Sequence, residues 1–204
     1  HNIEHERFKT WMDRLEVLQK SGRLDKIQIF FSCDALGPEG EYVRTGLDLN
    51  VAIKNFEYIL HNTSFDQGIN SALTVTAVPG MPAMVKYLNE CNKIKPIYWS
   101  MMKANQHEIG PREYMYPGIF GNKINDWGLR EAVESFDTTS HGNPDSVKEI
   151  YKTYMQGIMS EFDKREPSVL RQKQFKIYLD ELDRRRDTNW KSVYPQIWEE
   201  VKNL

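Results

Sequence analysis

The sequence predicts an α/β protein whose sheet is parallel. In the first half of the chain, strand-like segments alternate with helix-like ones, near 26–32, 69–78 and 96–102. The connections between these strands are long enough to contain helices, and parallel strands need such crossovers. The second half of the chain begins with a segment punctuated by Gly and Pro and then shows helical patterns. We therefore expect an α/β region over 1–107 and a mainly helical C-terminal region over 108–204.

The first helix and the first strand follow from the spacing of apolar residues. An apolar stripe at helical spacing begins at Phe8, and this helix is expected to end near Ser21 and Gly22. In the strand that follows, alternation places two sets of side chains on opposite faces. One set is Ile27, Ile29 and Phe31, and the other is Gln28, Phe30, Ser32 and, if the alternation continues, Asp34.

The next elements carry their own start and stop signals. Asp48 is a suitable N-cap for the second helix. The segment "INSALTVTAVP" is rich in Thr and Val, which predicts a strand that ends at Pro79 and Gly80 and carries Thr74 and Thr76 on one face. A further helix and the strand "PIYWSMM" complete the first half. The helices of the second half are expected near 127–137, 145–163, 168–186 and 190–203.

Composition excludes several classes of protein. A net charge of -2 argues against a general nucleic-acid binder, which needs a basic surface to neutralise phosphates. No apolar run approaches the ~18 residues of a membrane span, and the polar start of the chain does not resemble a signal peptide. Cys33 and Cys91 are too few and too far apart for a metal pair or a disulfide framework. We therefore expect a reducing, cytoplasmic setting and no metal site.

Polar residues cluster where the predicted strands end. In parallel α/β folds, ligands collect at the carboxyl ends of strands. The three ends here carry Ser32 to Asp34 with the loop to Arg44, then Thr74 and Thr76, and then Lys103, Asn105 and His107. A structural interpretation remains open for each: Ser32 and Asp34 are also turn formers. Arg44 is also placed to pair with Glu39 or Glu41, and the threonines are also common strand residues.

One segment carries a resemblance to a known family. "SCDALGPEGEYVRTGLDL" followed by "KNFEYIL" closely resembles the fourth strand, loop and helix of radical S-adenosylmethionine proteins, especially the twitch-domain group. Two later segments, "LTVTAVPGMPAMVKYLNE" and "YLDELDRRRDTNWKSVYPQIWE", resemble the fifth strand with its helix and the C-terminal region of that group. The matching residues of the first segment are Ser32, Asp34, Ala35, Gly37, Glu41, Tyr42, Val43, Arg44, Gly46, Leu47, Asp48 and Asn55.

The resemblance implies a fold and a cofactor site. The fold would be the three-stranded half of a partial (β/α)6 TIM-like barrel. Ser32, together with Asp34, would approach the ribose hydroxyls of S-adenosylmethionine. Arg44 would bind the methionyl carboxylate, since a guanidinium binds a carboxylate through two parallel hydrogen bonds. Thr74 and Thr76 would line the adenine or substrate side.

The chain also departs from this family. It has no CxxxCxxC motif, and a [4Fe–4S] cluster needs thiolate ligands. The resemblance therefore implies the C-terminal half of a radical S-adenosylmethionine enzyme, with the cluster held by the other half and no catalysis by this chain alone. The expected partner is the missing N-terminal half of the barrel, or a second copy that pairs with an exposed sheet edge.

Two other functions remain open at this point. One is a non-catalytic binding or interaction module that has lost the iron–sulfur half. The other is an unrelated α/β enzyme that uses the loop from Ser32 to Arg44 to bind an anionic ligand.

Overall fold

A computed structural model describes residues 3–103, 113–136 and 145–204 of the chain. Helices and strands alternate in its first half, and only helical elements follow. The elements are α1 (His5–Lys20), β1 (Gln28–Ser32), α2 (Pro38–Val43), α3 (Leu49–Asn62), β2 (Asp66–Leu73), α4 (Met81–Asn92), β3 (Ile97–Lys103), α5 (Arg130–Glu134), α6 (Asp145–Asp163), α7 (Val169–Arg186), α8 (Trp190–Val193) and α9 (Pro195–Val201). Single 3₁₀ turns occur at Val78–Gly80, Glu113–Met115 and Pro117–Phe120, and a π-helical turn covers Asn125–Leu129.

The three strands form one parallel sheet in the order β1-β2-β3. This confirms the α/β class and the parallel sheet. Cys33 N–H donates to Asn70 O, and Asp66 N–H donates to Ile27 O. Because these bonds alternate along a strand, the N–H and C=O groups of Gln28, Phe30 and Ser32 point to the other edge of β1. That edge is one of the two free edges of the described sheet, and the other is the outer edge of β3.

The second strand differs from its prediction. It runs over Asp66–Leu73 rather than 69–78, so Thr74 and Thr76 follow the strand and do not share a face of it. The threonine-rich segment turns instead, because Thr74 accepts local hydrogen bonds: its carbonyl from Val78 N–H and its hydroxyl from Ala77 N–H. Strand propensity depends strongly on context, and here a turn provides hydrogen bonds for residues that would otherwise form a strand.

Helices cover one face of the sheet. Phe31 of β1 is buried there between Phe8 of α1 and Phe56 of α3, at ring-centre distances of 6.2 and 5.1 Å. The alternation predicted for β1 is confirmed, since Phe31 is 6% exposed and its neighbour Phe30 is 45% exposed. Burial of this aromatic cluster stabilises the packing of α1 and α3 on the sheet.

The opposite face of the sheet is open in the described part of the chain. Phe30, Tyr98 and Met102 project from it with exposed fractions of 45%, 41% and 68%. Most parallel sheets have both faces covered, so this exposure is unusual. We call this surface, formed by the side chains that alternate with the buried ones on β1, β2 and β3, the open sheet face.

The C-terminal region is helical, as predicted. Its helices begin and end within a few residues of the expected bounds, and the last predicted helix is divided into α8 and α9 at Pro195. Phe162, Phe175 and Trp190 are buried in the same apolar cluster as the sheet residues. Packing therefore joins the helical region directly to the helix-covered side of the α/β region.

Candidate functional site

The loop that follows β1 is organised by the carboxylate of Asp34. This side chain is 7% exposed and lies at the carboxyl end of the sheet. Its Oδ1 atom accepts a hydrogen bond of 2.7 Å from Ala72 N–H, next to the end of β2. The carboxylate therefore joins the first two strand ends and satisfies a backbone donor there.

Arg44 returns from the same loop to meet Asp34. Arg44 Nη2 donates to Oδ1 at 3.1 Å, and Nε lies 3.0 Å from Oδ2. Arg44 thus pairs with Asp34 rather than with Glu39 or Glu41. About a third of the Arg44 side chain remains exposed (32%), and a guanidinium has five N–H donors. Donors beyond those facing Asp34 are therefore available to a second anion.

A chain of hydrogen bonds connects all three strands just below Asp34. Trp99 Nε1 donates to Ser71 Oγ at 2.9 Å, and Ser71 Oγ donates to Cys33 O at 2.6 Å. Trp99 is 3% exposed and Ser71 is 5% exposed, so these bonds are shielded from water. The strand ends are consequently a rigid support for the loop.

The Cys33 thiol is not suited to nucleophilic chemistry. It donates to Ala35 O at 3.2 Å, and burial, assisted by the nearby Asp34 charge, raises its pKa to about 11. Cys91 is also buried, and desolvation raises its pKa to about 11. Because the thiolate is the reactive form, both cysteines are inert at neutral pH.

These two thiols make stability depend on alkaline pH. Their pKa values in the folded chain lie above the ordinary value of 9.0, so the unfolded chain loses the protons first. The free energy of unfolding should therefore fall as pH rises from 9 towards 11, by about 1 kcal/mol per thiol between pH 8 and pH 10. Urea unfolding at several pH values measures this slope.

A double Cys33→Ala and Cys91→Ala variant is the control for that slope. It should show a smaller loss of stability up to pH 10, above which the buried tyrosines also begin to contribute. Burial raises the pKa values of Tyr42 and Tyr194 in the same direction. Equal slopes below pH 10 in the two proteins would contradict the assignment.

Thr74 and Thr76 lie beside the strand end but bond each other. Their hydroxyl oxygens are 3.1 Å apart, and Thr74 Oγ1 also accepts from Ala77 N–H. Thr76 is 2% exposed. Both side chains therefore stabilise the turn after β2. Of the two, only Thr74 is partly exposed and could contact a ligand.

The C-terminal region anchors the loop after β1 from the outside. Tyr42 of α2 donates its hydroxyl hydrogen to Asp183 Oδ1 at 3.0 Å, and Arg186 Nη1 donates to Tyr42 O at 3.2 Å. Asp183 also accepts from Trp190 N–H at 2.7 Å. One carboxylate of α7 thus ties α2 to the start of α8, which fixes the loop that carries Arg44.

Strand register brings further polar groups to the open sheet face. Ser32 is paired with Asn70, and Asn70 is paired with Ser100, so these three residues form one row across the sheet. The next row towards the start of the strands is Phe30, Gly68 and Tyr98. Sequence reasoning identified Ser32 alone in this set. It missed Asn70 and Ser100 because pairing between strands is not written in local spacing.

Two cavities adjoin these residues, one on each side of the sheet. The cavity on the helix side has a volume of about 30 Å³, is apolar, and lies between β1 and α3 beside Phe31 and Phe56. The cavity on the open sheet face has a volume of about 470 Å³. Only the second is large enough for a small organic molecule.

Metal binding finds no support in the described residues. Residues 3–103, 113–136 and 145–204 contain no group of three His, Cys, Asp or Glu side chains that could hold an ion. Asn105 and His107, which follow the third strand, lie outside the described residues. Cys33 and Cys91 do not form a cluster site, since Cys33 bonds Ala35 and Cys91 is buried in α4.

The structure therefore brings three of the five predicted site residues to one place. Ser32, Asp34 and Arg44 lie around the end of β1, and Thr74 and Thr76 form the neighbouring turn.

Comparisons with protein-family models, curated proteins and solved structures found no match to this chain. The fold itself defines an α/β protein with a three-stranded parallel sheet. Among the described helices, none is both long and apolar enough to cross a membrane.

Proposed function

We propose that this chain is the C-terminal half of a radical S-adenosylmethionine protein of the twitch-domain type, and that it supplies part of the cofactor site. The observation that carries the proposal is the one-sided parallel sheet. Strands in sequential order β1-β2-β3, with α1, α3 and α4 on one face, are what half of a partial (β/α)6 barrel would present. The open sheet face would then be its interior.

The residues of the loop after β1 fit the role of a half-site. Ser32 lies at the strand end with its side chain on the side of the open sheet face, where it can meet a ribose hydroxyl. Arg44 is fixed by Asp34 and keeps donors for a methionyl carboxylate. S-adenosylmethionine supplies a radical precursor when a [4Fe–4S] cluster reduces it. The described residues of this chain offer no ligand set for that cluster, so we assign this chain binding and no catalytic step.

Titration with S-adenosylmethionine tests this proposal. We expect weak, saturable binding that shifts the NMR signals of the Ser32 and Cys33 amides and of the Arg44 Nε–H. An Arg44→Lys variant should bind more weakly, because an ammonium cannot form the paired hydrogen bonds of a guanidinium. S-adenosylhomocysteine should compete, since it carries the same ribose and carboxylate.

The same titration separates the rival functions. If phosphate or sulfate shifts the Arg44 signal and S-adenosylmethionine does not, the proposal fails in favour of a general anion site. If no ligand shifts it, a binding or interaction module without the cofactor is favoured. In the gene, a reading frame for the preceding segment without a CxxxCxxC motif would also refute the enzymatic assignment of the whole protein.

The open sheet face and the free edge of β1 support the proposal of a protein partner for this half. The edge residues Gln28, Phe30 and Ser32 carry no charge and no proline, the usual protections of an exposed edge strand. The partner would be the N-terminal half of the barrel or a second copy of the chain. Sedimentation velocity of the 204-residue chain bears on the second choice: a monomer at all concentrations would exclude a stable homodimer.

A further inference from the structure

Two aromatic side chains form one row on the open sheet face, with a glycine between them. Phe30, Gly68 and Tyr98 are direct neighbours in the register of β1, β2 and β3. A Cβ atom on residue 68 would lie 2.4 Å from Phe30 Cε1, so the phenyl ring occupies the space above the glycine. The ring therefore leans across the sheet towards Tyr98 while it stays 45% exposed.

A row of uncharged hydrogen-bonding groups lies next to the aromatic row. Ser32, Asn70 and Ser100 follow two residues further along each strand, at a distance of roughly 7 Å. None of their side chains forms a hydrogen bond with another described residue. Two hydroxyl groups and one amide, which can both donate and accept, are thus available along one line.

The surroundings make this surface concave and electrically neutral. Tyr151 and Tyr154 of α6 stand beside it and help to enclose the cavity of about 470 Å³, a volume typical of small-molecule sites. The charged residues at the start of the strands pair with each other, since Lys26 Nζ lies 2.6 Å from Asp66 Oδ2. None of the described residues that line the cavity is charged.

We propose that the open sheet face binds a flat, uncharged nitrogen heterocycle of the nucleobase type. The ring stacks on Phe30 and Tyr98, because π surfaces attract planar aromatic ligands. Its donor and acceptor edge meets Ser100, which lines the cavity, and then Asn70 and Ser32, which continue the same row beyond the cavity. This site shares Ser32 and the open sheet face with the function proposed above. It does not depend on Arg44, and the two rows and the cavity that support it do not require that function.

The experiment uses hypoxanthine as the probe and amide NMR shifts of the full chain as the readout. We expect saturable shifts at Gly68, Asn70 and Tyr98, with a dissociation constant on the order of 1 mM. Phe30→Ala and Tyr98→Ala should each weaken binding roughly 5- to 100-fold, the range for loss of one stacking side chain. Phe30 and Tyr98 are 45% and 41% exposed and neither belongs to the buried apolar core, so these variants should fold.

Asn70→Ala and Val17→Ala complete the test. Asn70→Ala should weaken hypoxanthine binding but leave binding of toluene, an aromatic ring without hydrogen-bonding groups, within about twofold. Val17 is 66% exposed on α1, away from the open sheet face, and its replacement should change nothing. The proposal is overturned if hypoxanthine gives no saturable shift up to roughly 10 mM. It is also overturned if cellobiose shifts the same amides as strongly, because the rings would then be a saccharide platform. A failed S-adenosylmethionine titration at Arg44 leaves these outcomes unaffected.

Discussion

Replacing Asp34 by alanine should destabilise the protein by about 3 kcal/mol. The change leaves the partly buried Arg44 guanidinium without its carboxylate and the Ala72 N–H without its acceptor. An uncompensated charge and an unsatisfied backbone donor are both costly in a site shielded from water. Because Arg44 is 32% exposed, water offsets part of the loss. The expected cost is therefore near the lower end of the range for breaking a buried ion pair. Urea unfolding followed by circular dichroism measures the effect.

Asp126→Ala is the matched control for this prediction. Asp126 pairs with Arg130 at the same Nε-to-carboxylate distance of 3.0 Å, but both side chains are at least half exposed. That substitution should change stability by less than about 0.5 kcal/mol. The double variant Asp34→Ala with Arg44→Met should lose less than the sum of the two single variants, since no charge is then left unpaired. Equal losses for Asp34→Ala and Asp126→Ala would show that burial of the pair does not matter.

Replacing Gly128 by alanine should also cost about 3 kcal/mol. Gly128 lies in the π-helical turn, with φ of +153°, where an L side chain is strained. Its Cβ atom would lie 2.4 Å from Val78 O and 3.2 Å from Pro79 Cα, which are backbone atoms that cannot rotate away. The turn after β2 would have to move. Because that turn is packed at Gly80 against Ala35, the disturbance should reach the loop after β1.

Gly157→Ala is also a glycine-to-alanine change in a helical element, but it should raise stability rather than lower it. Gly157 lies in α6 with no atom within 4 Å of the added Cβ. Alanine there should stabilise the protein by roughly 0.5 to 1 kcal/mol, the difference in helix propensity. Thermal unfolding of the two variants compares them directly. If Gly128→Ala were neutral or stabilising, the close approach between the π-helical turn and Val78 would be wrong. Hydrogen exchange at the Ala35 amide would report whether the disturbance reaches the loop.

The first strand shows how much a local pattern can predict. Alternation correctly assigned Phe31 to the core and Phe30 and Ser32 to the other face, because neighbouring side chains in a strand must point in opposite directions. The second strand shows where such reasoning fails. The β-branched residues from Thr74 to Thr76 predicted a strand. In the structure this segment forms a turn, in which the two threonine hydroxyls bond each other and Thr74 accepts from Ala77 N–H. The true strand, "DQGINSAL", has little strand propensity and forms through pairing with both neighbours.

The candidate site was likewise predictable from the sequence only in part. Ser32, Asp34 and Arg44 could be identified from the sequence because they stand at a predicted strand end and in a motif that resembles a known family. How these residues pair could not be predicted from the sequence, since several acidic residues lie within reach of Arg44 along the loop. Burial decided the choice: Asp34 is 7% exposed, so its carboxylate gains most from the guanidinium.

The sequence by itself determined the α/β class, the alternating elements of the first half and the helical second half. These depend on periodicities that act within one helix or one strand. Only the tertiary structure decided which residues share a row. The parallel register sets Phe30 beside Gly68 and Tyr98, and Ser32 beside Asn70 and Ser100, although the paired residues are 38 and 30 positions apart in the chain. Packing of three helices on one face then left those rows open, because contacts between distant segments, not local preference, determine which side of a sheet is covered.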